Sequence, residues 1–164
     1  MRIIPYLIYL LLIAFYRTVL IDWLSFGEME IFLTPLMVLL IALYKSPFEA
    51  LWFGLVAGLV FDAPDPSRLG VQMIILSALG IFTSQFKNRF NLDSMKGRLL
   101  LIAGGLVIYS IPYVLIYTTS GTEEFFARIA GMALPSIIYT SIAAWIFFLI
   151  KSGHLSYSRI KSIF

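Results

Sequence analysis

Few residues of this chain have side chains that could carry out chemistry. The carboxylates Asp62 and Asp65 stand three positions apart, and Arg17 is the one basic residue well inside an apolar run. A charged group in apolar sequence is expected to have a partner or a function, such as a place on an ion or proton pathway. Two carboxylates alone make a weak cation site, and Pro64 and Pro66 indicate that Asp65 lies in a turn.

The rest of the sequence offers little for catalysis. The single histidine, His154, lies in a basic C-terminal segment, where a solvated surface position is the usual one, and the chain has no cysteine. It contains no Gly-rich phosphate loop and no Ser-Lys or Ser-His pair within one segment. We therefore expect a protein that is not an enzyme and that holds no cofactor and no metal.

The composition indicates that lipid, rather than water, surrounds these residues. Of the 164 residues, 60% are hydrophobic and 13% are charged, and the mean hydropathy is +0.94. Soluble domains carry about 25% charged residues. We therefore expect one integral membrane domain over residues 1–164. The net charge of +3 fits basic residues on the cytoplasmic side of a membrane and does not suggest nucleic acid as a partner.

Six apolar segments are predicted to form an all-α, six-transmembrane-helix bundle. They cover residues 3–21, 31–44, 48–61, 69–86, 99–117 and 129–150, and a basic tail follows at 151–164. The second and third segments are shorter than the roughly 20 residues of a full span, so they could instead form one broken element that enters and returns.

The charges of the connectors favour six spans. With six spans, basic and acidic connectors alternate along the whole chain, and the positive-inside rule puts both termini in the cytoplasm. The predicted cytoplasmic basic surface consists of Lys87, Arg89, Lys96, Arg98, Lys151, Arg159 and Lys161.

Small residues recur every four positions in the third segment and share one helix face. The predicted close-packing surface consists of Ala50, Gly54 and Gly58, with Leu69 and Gly70 at the start of the next segment. Faces without side chains allow transmembrane helices to approach closely. This surface is predicted to pack either within the protein's own bundle or against the transmembrane helix of a partner.

Two interpretations of the intramembrane charges stay open. The stem of Arg17 could extend its guanidinium to the interface. Alternatively, Arg17 could form an ion pair with Asp62, or with Asp22 on its own helix. Asp62 itself is predicted at the outer membrane boundary, where a solvated turn would accommodate its charge.

Residues 48–82 contain a pattern that a known family shares. A helix with Gly54 and Gly58 ends in Asp62, and a short turn then leads to Leu69-Gly70 and an apolar helix. In this pattern the chain resembles the MreD family of bacterial rod shape-determining membrane proteins.

Two further features agree with the resemblance. The second segment starts with Thr34-Pro35, and the last one has Pro135 before WIFFLIKS and a basic tail. The resemblance implies a fold similar to the substrate-binding subunits of vitamin transporters. It also implies a scaffold in the bacterial cytoplasmic (inner) membrane that couples MreB filaments to peptidoglycan synthesis. The implied partners are an MreC-like single-span protein, the MreB filament, a RodA-type glycosyltransferase with its class B penicillin-binding protein, and the lipid bilayer.

A second class of function is a small-molecule binding subunit of a vitamin-type transporter. Such a subunit needs a pocket with converging polar groups. Polar side chains in the predicted spans are few, and they include Gln72, Ser77, Thr83, Ser84, Ser110, Ser136, Thr140 and Ser141. A ligand-dependent thermal shift would favour this class, and a stable complex with an MreC-like protein would count against it.

Overall fold

A computed structural model describes residues 4–20, 31–89, 92, 94–117 and 126–161, apart from the side chains of residues 4, 5, 17, 20, 88, 117 and 151–161. Regular structure in this part is helical, without a strand, so the all-helical prediction is confirmed there. Its six α-helices are α1 (Ile4–Phe15), α2 (Leu33–Tyr44), α3 (Pro47–Asp62), α4 (Val71–Phe86), α5 (Met95–Tyr117) and α6 (Leu134–Lys161).

Four short helical turns complete the helices. Two are π-helical, one after α1 at Tyr16–Leu20 and one before α6 at Ile129–Ala133, and two are 3₁₀ turns at Pro66–Arg68 and Lys87–Arg89. The first π-helical turn carries the backbone of Arg17, whose side chain lies outside the described part, as does Asp22.

A tight connection separates α2 from α3. Lys45 has an extended backbone, and the Ser46 hydroxyl accepts a hydrogen bond from the backbone N–H of Glu49 at 3.3 Å. Pro47 occupies the first helical position, where its missing N–H costs no helix hydrogen bond. Residues 31–61 therefore form two separate helices, as the sequence SPFE indicates at the start of a capped helix.

Helix α2 is the centre of the bundle. Nine of its twelve residues are buried, and it contacts each of the other five helices. Leu39 is completely buried, and its side chain occupies the space where a Cβ on Gly105 of α5 would lie. A helix that is apolar on every side can bury all of its surface only when other helices surround it.

Within the described residues, two helical stretches are long and apolar enough to cross a membrane, Met95–Ile116 and Phe126–Ile150. Helix α2, with twelve residues, is only about 18 Å long. Large apolar side chains also cover the outer surface of the described part, among them Leu11, Ile74 and Leu100, each more than half exposed. An apolar exterior of this extent is typical of a surface that faces lipid or a partner.

Candidate functional site: the glycine-packed hairpin and the two ends of the bundle

Helices α3 and α4 form the most extensive helix pair of the described part, and glycine makes their approach possible. A Cβ on Gly54 would lie 2.5 Å from the carbonyl oxygen of Leu76, and a Cβ on Gly58 would overlap the Cα of Met73. Both obstacles are backbone atoms, which cannot rotate away as a side chain can. The small-residue surface therefore lies inside the bundle, against α4.

The contact is reciprocal, because α4 contributes a glycine of its own. A Cβ on Gly80 would lie 2.8 Å from the carbonyl oxygen of Ala50. Sequence reasoning missed Gly80. A glycine within a helix lowers helix stability by about 1 kcal/mol relative to alanine. A glycine in the middle of a predicted helix therefore indicates a packing role, and this signal could have identified Gly80.

The other two members of the predicted close-packing surface lie in the turn between α3 and α4. Gly70 has a φ of +98° and precedes α4, and no atom lies within 4 Å of a Cβ built on it. Position 70 requires glycine because its backbone is left-handed, and not because a neighbouring atom excludes a side chain. Leu69 is exposed over 56% of its surface.

Asp62 is the last residue of α3, and its side chain is buried against the start of α4. The predicted solvated position is therefore wrong for this residue. Its side chain is 4% exposed. Its Oδ2 accepts hydrogen bonds from the backbone N–H groups of Gly70 at 2.9 Å and of Gln72 at 3.0 Å. The first N–H groups of a helix have no partner within the helix and carry a partial positive charge. A carboxylate from α3 therefore caps α4.

The predicted ion pair of Arg17 with Asp62 cannot be placed, because the Arg17 side chain lies outside the described part. The neighbouring carboxylate, Asp65, does lie in an exposed turn as predicted. It accepts hydrogen bonds from the N–H and hydroxyl of Ser67, and it lies 3.8 Å from Nε of Arg68.

Polar and aromatic contacts extend from the Asp62 cap across the bundle. The Tyr109 hydroxyl of α5 donates to Oε1 of Gln72 at 3.1 Å, and both side chains are at most 2% exposed. The rings of Tyr109 and Tyr113 pack on Phe32 with centroids 5.5 Å and 5.8 Å away. The backbone N–H of Phe32 in turn donates to Oγ1 of Thr140 in α6. We call this region, with Asp62 and Gly70, the acidic end.

Most polar groups at the acidic end bond one another, although Oγ1 of Thr34 and Nε2 of Gln72 are buried without a hydrogen-bond partner among the described residues. The cavity beside them, between Thr34, Tyr109 and Tyr113, has a volume of about 10 Å³. That volume is about the size needed for one water molecule, whereas small-molecule pockets measure about 300–1,000 Å³. The arrangement weighs against a vitamin-type binding site at this end.

The opposite end of the bundle carries the basic residues, and we call it the basic end. Nζ of Lys87 donates to the carbonyl oxygens of Lys45 at 2.6 Å and of Ala42 at 3.2 Å, and so it caps the C-terminus of α2. Nε of Arg98 donates to the carbonyl oxygen of Leu92 at 2.5 Å, and its guanidinium lies 6.0 Å from the ring centre of Phe148 in α6.

The predicted basic surface therefore divides into two groups. Lys87 and Arg98 bond within the bundle. Arg89 and Lys96 are exposed, and the Arg89 guanidinium lies 5.4 Å from the ring centre of Phe86. The remaining members, at positions 151, 159 and 161, belong to the last turns of α6, and their side chains lie outside the described part.

Besides a groove of about 280 Å³ between α1, α2 and α6, which Lys45 lines, two apolar grooves open on the surface of the described bundle. The first, between α1 and α3, has a volume of about 360 Å³. It is lined by Tyr6, Leu10, Phe48, Glu49, Trp52, Phe53 and Val56. The second, between α4 and α5, has a volume of about 250 Å³. The Tyr6 hydroxyl donates to Oε2 of Glu49 at the basic end of the first groove.

The described residues contain no group of three or more histidine, cysteine or acidic side chains that could hold a metal ion. The contacts of the described polar and small residues are helix caps and close helix packing. Such contacts fix a shape and leave grooves on its outside.

Comparison with known proteins gives one result. Residues 1–156 match the family model described as rod shape-determining protein MreD. No curated protein and no solved structure matches the chain. The matched family is a membrane protein family that determines rod shape and is not a known enzyme family. Since the match covers nearly the whole chain, this protein belongs to the MreD family and has a role in rod shape determination.

Proposed function

We propose that this protein is a non-enzymatic scaffold in the bacterial inner membrane. It crosses the membrane six times with both termini in the cytoplasm. It binds the transmembrane helix of an MreC-like single-span protein. Through that assembly it couples MreB filaments to peptidoglycan synthesis by a RodA-type glycosyltransferase and its class B penicillin-binding protein.

Contacts between helix ends support the six-span arrangement. Tyr6 meets Glu49, and Lys87 meets Lys45, so the start of α1, the α2–α3 turn and the end of α4 share the basic end. Phe32 meets Thr140 at the acidic end. Successive helices therefore run in opposite directions, and the positive-inside rule assigns the basic end to the cytoplasm.

The observation that carries the partner proposal is the groove between α1 and α3. The glycine face of α3 is already filled by α4, so a partner helix needs another surface. The first groove presents Phe48 and Trp52, whose side chains are 62% and 50% exposed and whose rings meet edge to face. Exposed aromatic side chains around an apolar groove are typical anchors for a partner.

The charge at the groove end suits a single-span partner. Glu49 lies at the basic end, half-buried beside the groove. A single-span protein carries its Lys and Arg residues next to the cytoplasmic end of its helix. When such a helix lies in the groove, its basic residues come next to the Glu49 carboxylate.

Groove filling tests the proposal. The protein and its MreC-like partner are co-expressed and purified through a tag on the partner. Val56→Trp fills the groove, and we expect it to reduce the recovered complex at least ten-fold. Ile111→Trp is the matched control, because Ile111 is an exposed residue of α5 that lines neither groove. Equal recovery with Val56→Trp and Ile111→Trp would contradict the groove assignment, and no complex with the unmodified chain would contradict the scaffold function.

The topology has its own test, because the chain has no native cysteine. Ser67→Cys and Lys96→Cys place single thiols at the acidic and basic ends, at exposed positions. We expect a membrane-impermeant thiol reagent to label Ser67→Cys in intact spheroplasts, and Lys96→Cys only after permeabilisation. Labelling of both thiols from the outside would exclude the proposed topology.

A further inference from the structure

We propose that the groove between α4 and α5 binds an anionic phospholipid. Lipid binding at this groove requires a bilayer around the bundle but no particular protein partner, so this site goes beyond the proposed scaffold function. The groove takes one acyl chain, and the exposed cations at its basic end take the phosphate of the headgroup.

The walls of the groove suit an acyl chain. They consist of Phe82, Thr83, Phe86, Leu100, Leu101, Gly104, Gly105 and Ile108, and they enclose about 250 Å³. From Leu100 to Ile108 the groove follows α5 for about 12 Å. One leaflet of hydrocarbon is about 15 Å deep. The groove therefore has the length and the apolar surface for a chain within one leaflet.

Gly104 keeps the groove open. A Cβ on Gly104 would meet no atom within 4 Å, whereas a Cβ on the adjacent Gly105 would overlap the side chain of Leu39. Gly105 is thus explained by packing inside the bundle, and Gly104 is not. A glycine in the middle of a helix is unfavourable by about 1 kcal/mol relative to alanine, so Gly104 is better explained by an occupant of the groove.

Two cations lie at the basic end of this groove. Lys96 is exposed and shares a helix face with Leu100 and Gly104, each four residues apart. The Arg89 guanidinium lies 5.4 Å from the ring centre of Phe86, which is a wall of the groove. Among the described residues neither cation forms an ion pair.

The neighbouring cations are engaged elsewhere. Lys87 caps α2, and Arg98 bonds to the carbonyl oxygen of Leu92 and faces α6. Lys45 is exposed at the same end but lines a different cavity, together with Tyr6 and Tyr44. Arg89 and Lys96 are therefore the exposed cations beside this groove in the described part. Basic residues beside a groove between helices, at the level of the lipid headgroups, are a common way to bind anionic lipids.

Native mass spectrometry of the purified full-length chain tests the site, with phosphatidylglycerol as the anionic probe and phosphatidylcholine as the neutral one. We expect the first phosphatidylglycerol to bind at least ten-fold more tightly than phosphatidylcholine. Arg89→Gln and Lys96→Gln should each weaken that step about five-fold. Gly104→Leu fills the groove and should abolish it. Lys45→Gln is the matched control, since Lys45 is an exposed cation at the same end but lines a different cavity, together with Tyr6 and Tyr44, and it should leave the affinity of this step unchanged.

Other outcomes overturn the proposal. Equal binding of the two lipids, or equal losses with Lys45→Gln and Arg89→Gln, would show that lipid binds without selecting this site. If Gly104→Leu keeps the first lipid but loses the complex with the MreC-like partner, the groove receives a protein helix. The melting temperature of Gly104→Leu separates a filled groove from a misfolded protein, and we expect it to stay within about 2 °C of the unmodified chain. If Gly104→Leu melts at a lower temperature than that, Gly104→Ala fills the groove with a smaller side chain and replaces it in the test.

Discussion

At the acidic end and at the basic end of this bundle, a charged side chain caps a helix terminus, and the two side chains have opposite charges. At the acidic end, the Asp62 carboxylate accepts hydrogen bonds from the N–H groups that start α4. At the basic end, the Lys87 ammonium donates to the carbonyl groups that end α2. Each charge matches the partial charge of the helix terminus it meets.

The two ends differ in what they leave available. Asp62 is almost completely buried and Lys87 is half-buried. Near the acidic end the backbones of α3 and α4 touch at Gly58, and the adjacent cavity measures about 10 Å³. At Gly104, in the half of α5 nearer the basic end, no atom lies within 4 Å of a built Cβ, and exposed cations lie at that end. Both ends therefore contribute contacts that hold the fold together, but the groove beside Gly104 and the exposed cations make the basic end the one that we propose for lipid binding.

The largest expected effect comes from placing the same side chain at a closed and at an open position. Gly58→Leu forces the backbones of α3 and α4 apart, and it should lower the free energy of unfolding by more than about 3 kcal/mol. The leucine side chain of Gly104→Leu would extend into open space, so this substitution should change the free energy of unfolding little. Thermal unfolding in detergent compares the two. Equal losses would show that the bundle is as closed around Gly104 as around Gly58.

Removing the charge at the acidic end should have the next largest effect. Asp62→Ala leaves the N–H groups of Gly70 and Gln72 without their acceptor, and we expect the free energy of unfolding to fall by about 2–3 kcal/mol. Asp62→Asn keeps an acceptor oxygen, so it should lower the free energy of unfolding by about half as much. Asp65→Ala, at the exposed turn, is the control and should lose least. If Asp62→Asn is as damaging as Asp62→Ala, the negative charge matters more than the hydrogen bonds, as an ion pair with Arg17 would require.

Removing the matching charge at the basic end should have the smallest effect. Lys87→Met keeps the length of the side chain but cannot donate to the end of α2. Since Lys87 is half-buried and solvent can replace part of its bonding, we expect a loss of about 0.5–1 kcal/mol. The same unfolding measurement checks this value. A loss as large as that of Asp62→Ala would remove the difference in strength between the two ends.

Much of the helical framework could be predicted from the sequence. The apolar runs and the connectors between them locate the helices, because a chain with 60% hydrophobic residues satisfies its backbone within lipid mainly by forming helices. Spacing by four places Gly54, Gly58 and Asp62 on one face before any partner is known. The partner of that face could not be predicted, since either α4 or another protein would suit it.

The contacts of Asp62, Lys87 and Tyr109 could not be predicted. Asp62 has the sequence context of a solvated turn, and its burial depends on the left-handed backbone at Gly70, which turns the N–H groups of α4 toward it. Lys87 reaches a carbonyl group 42 residues away, and Tyr109 reaches an amide 37 residues away. Such pairs are set by how close the helices approach and by their rotation, and neither follows from local spacing.

The sequence by itself determined that this chain is helical and apolar, where its helices lie, and to which family it belongs, because those properties depend on local composition and spacing. Only the tertiary structure decided that the glycine face is filled by α4, that Asp62 and Lys87 cap helices, and that the grooves open beside α1 and α5. These are properties of distances between segments, and they arise when backbones meet at Gly58 and stay apart at Gly104.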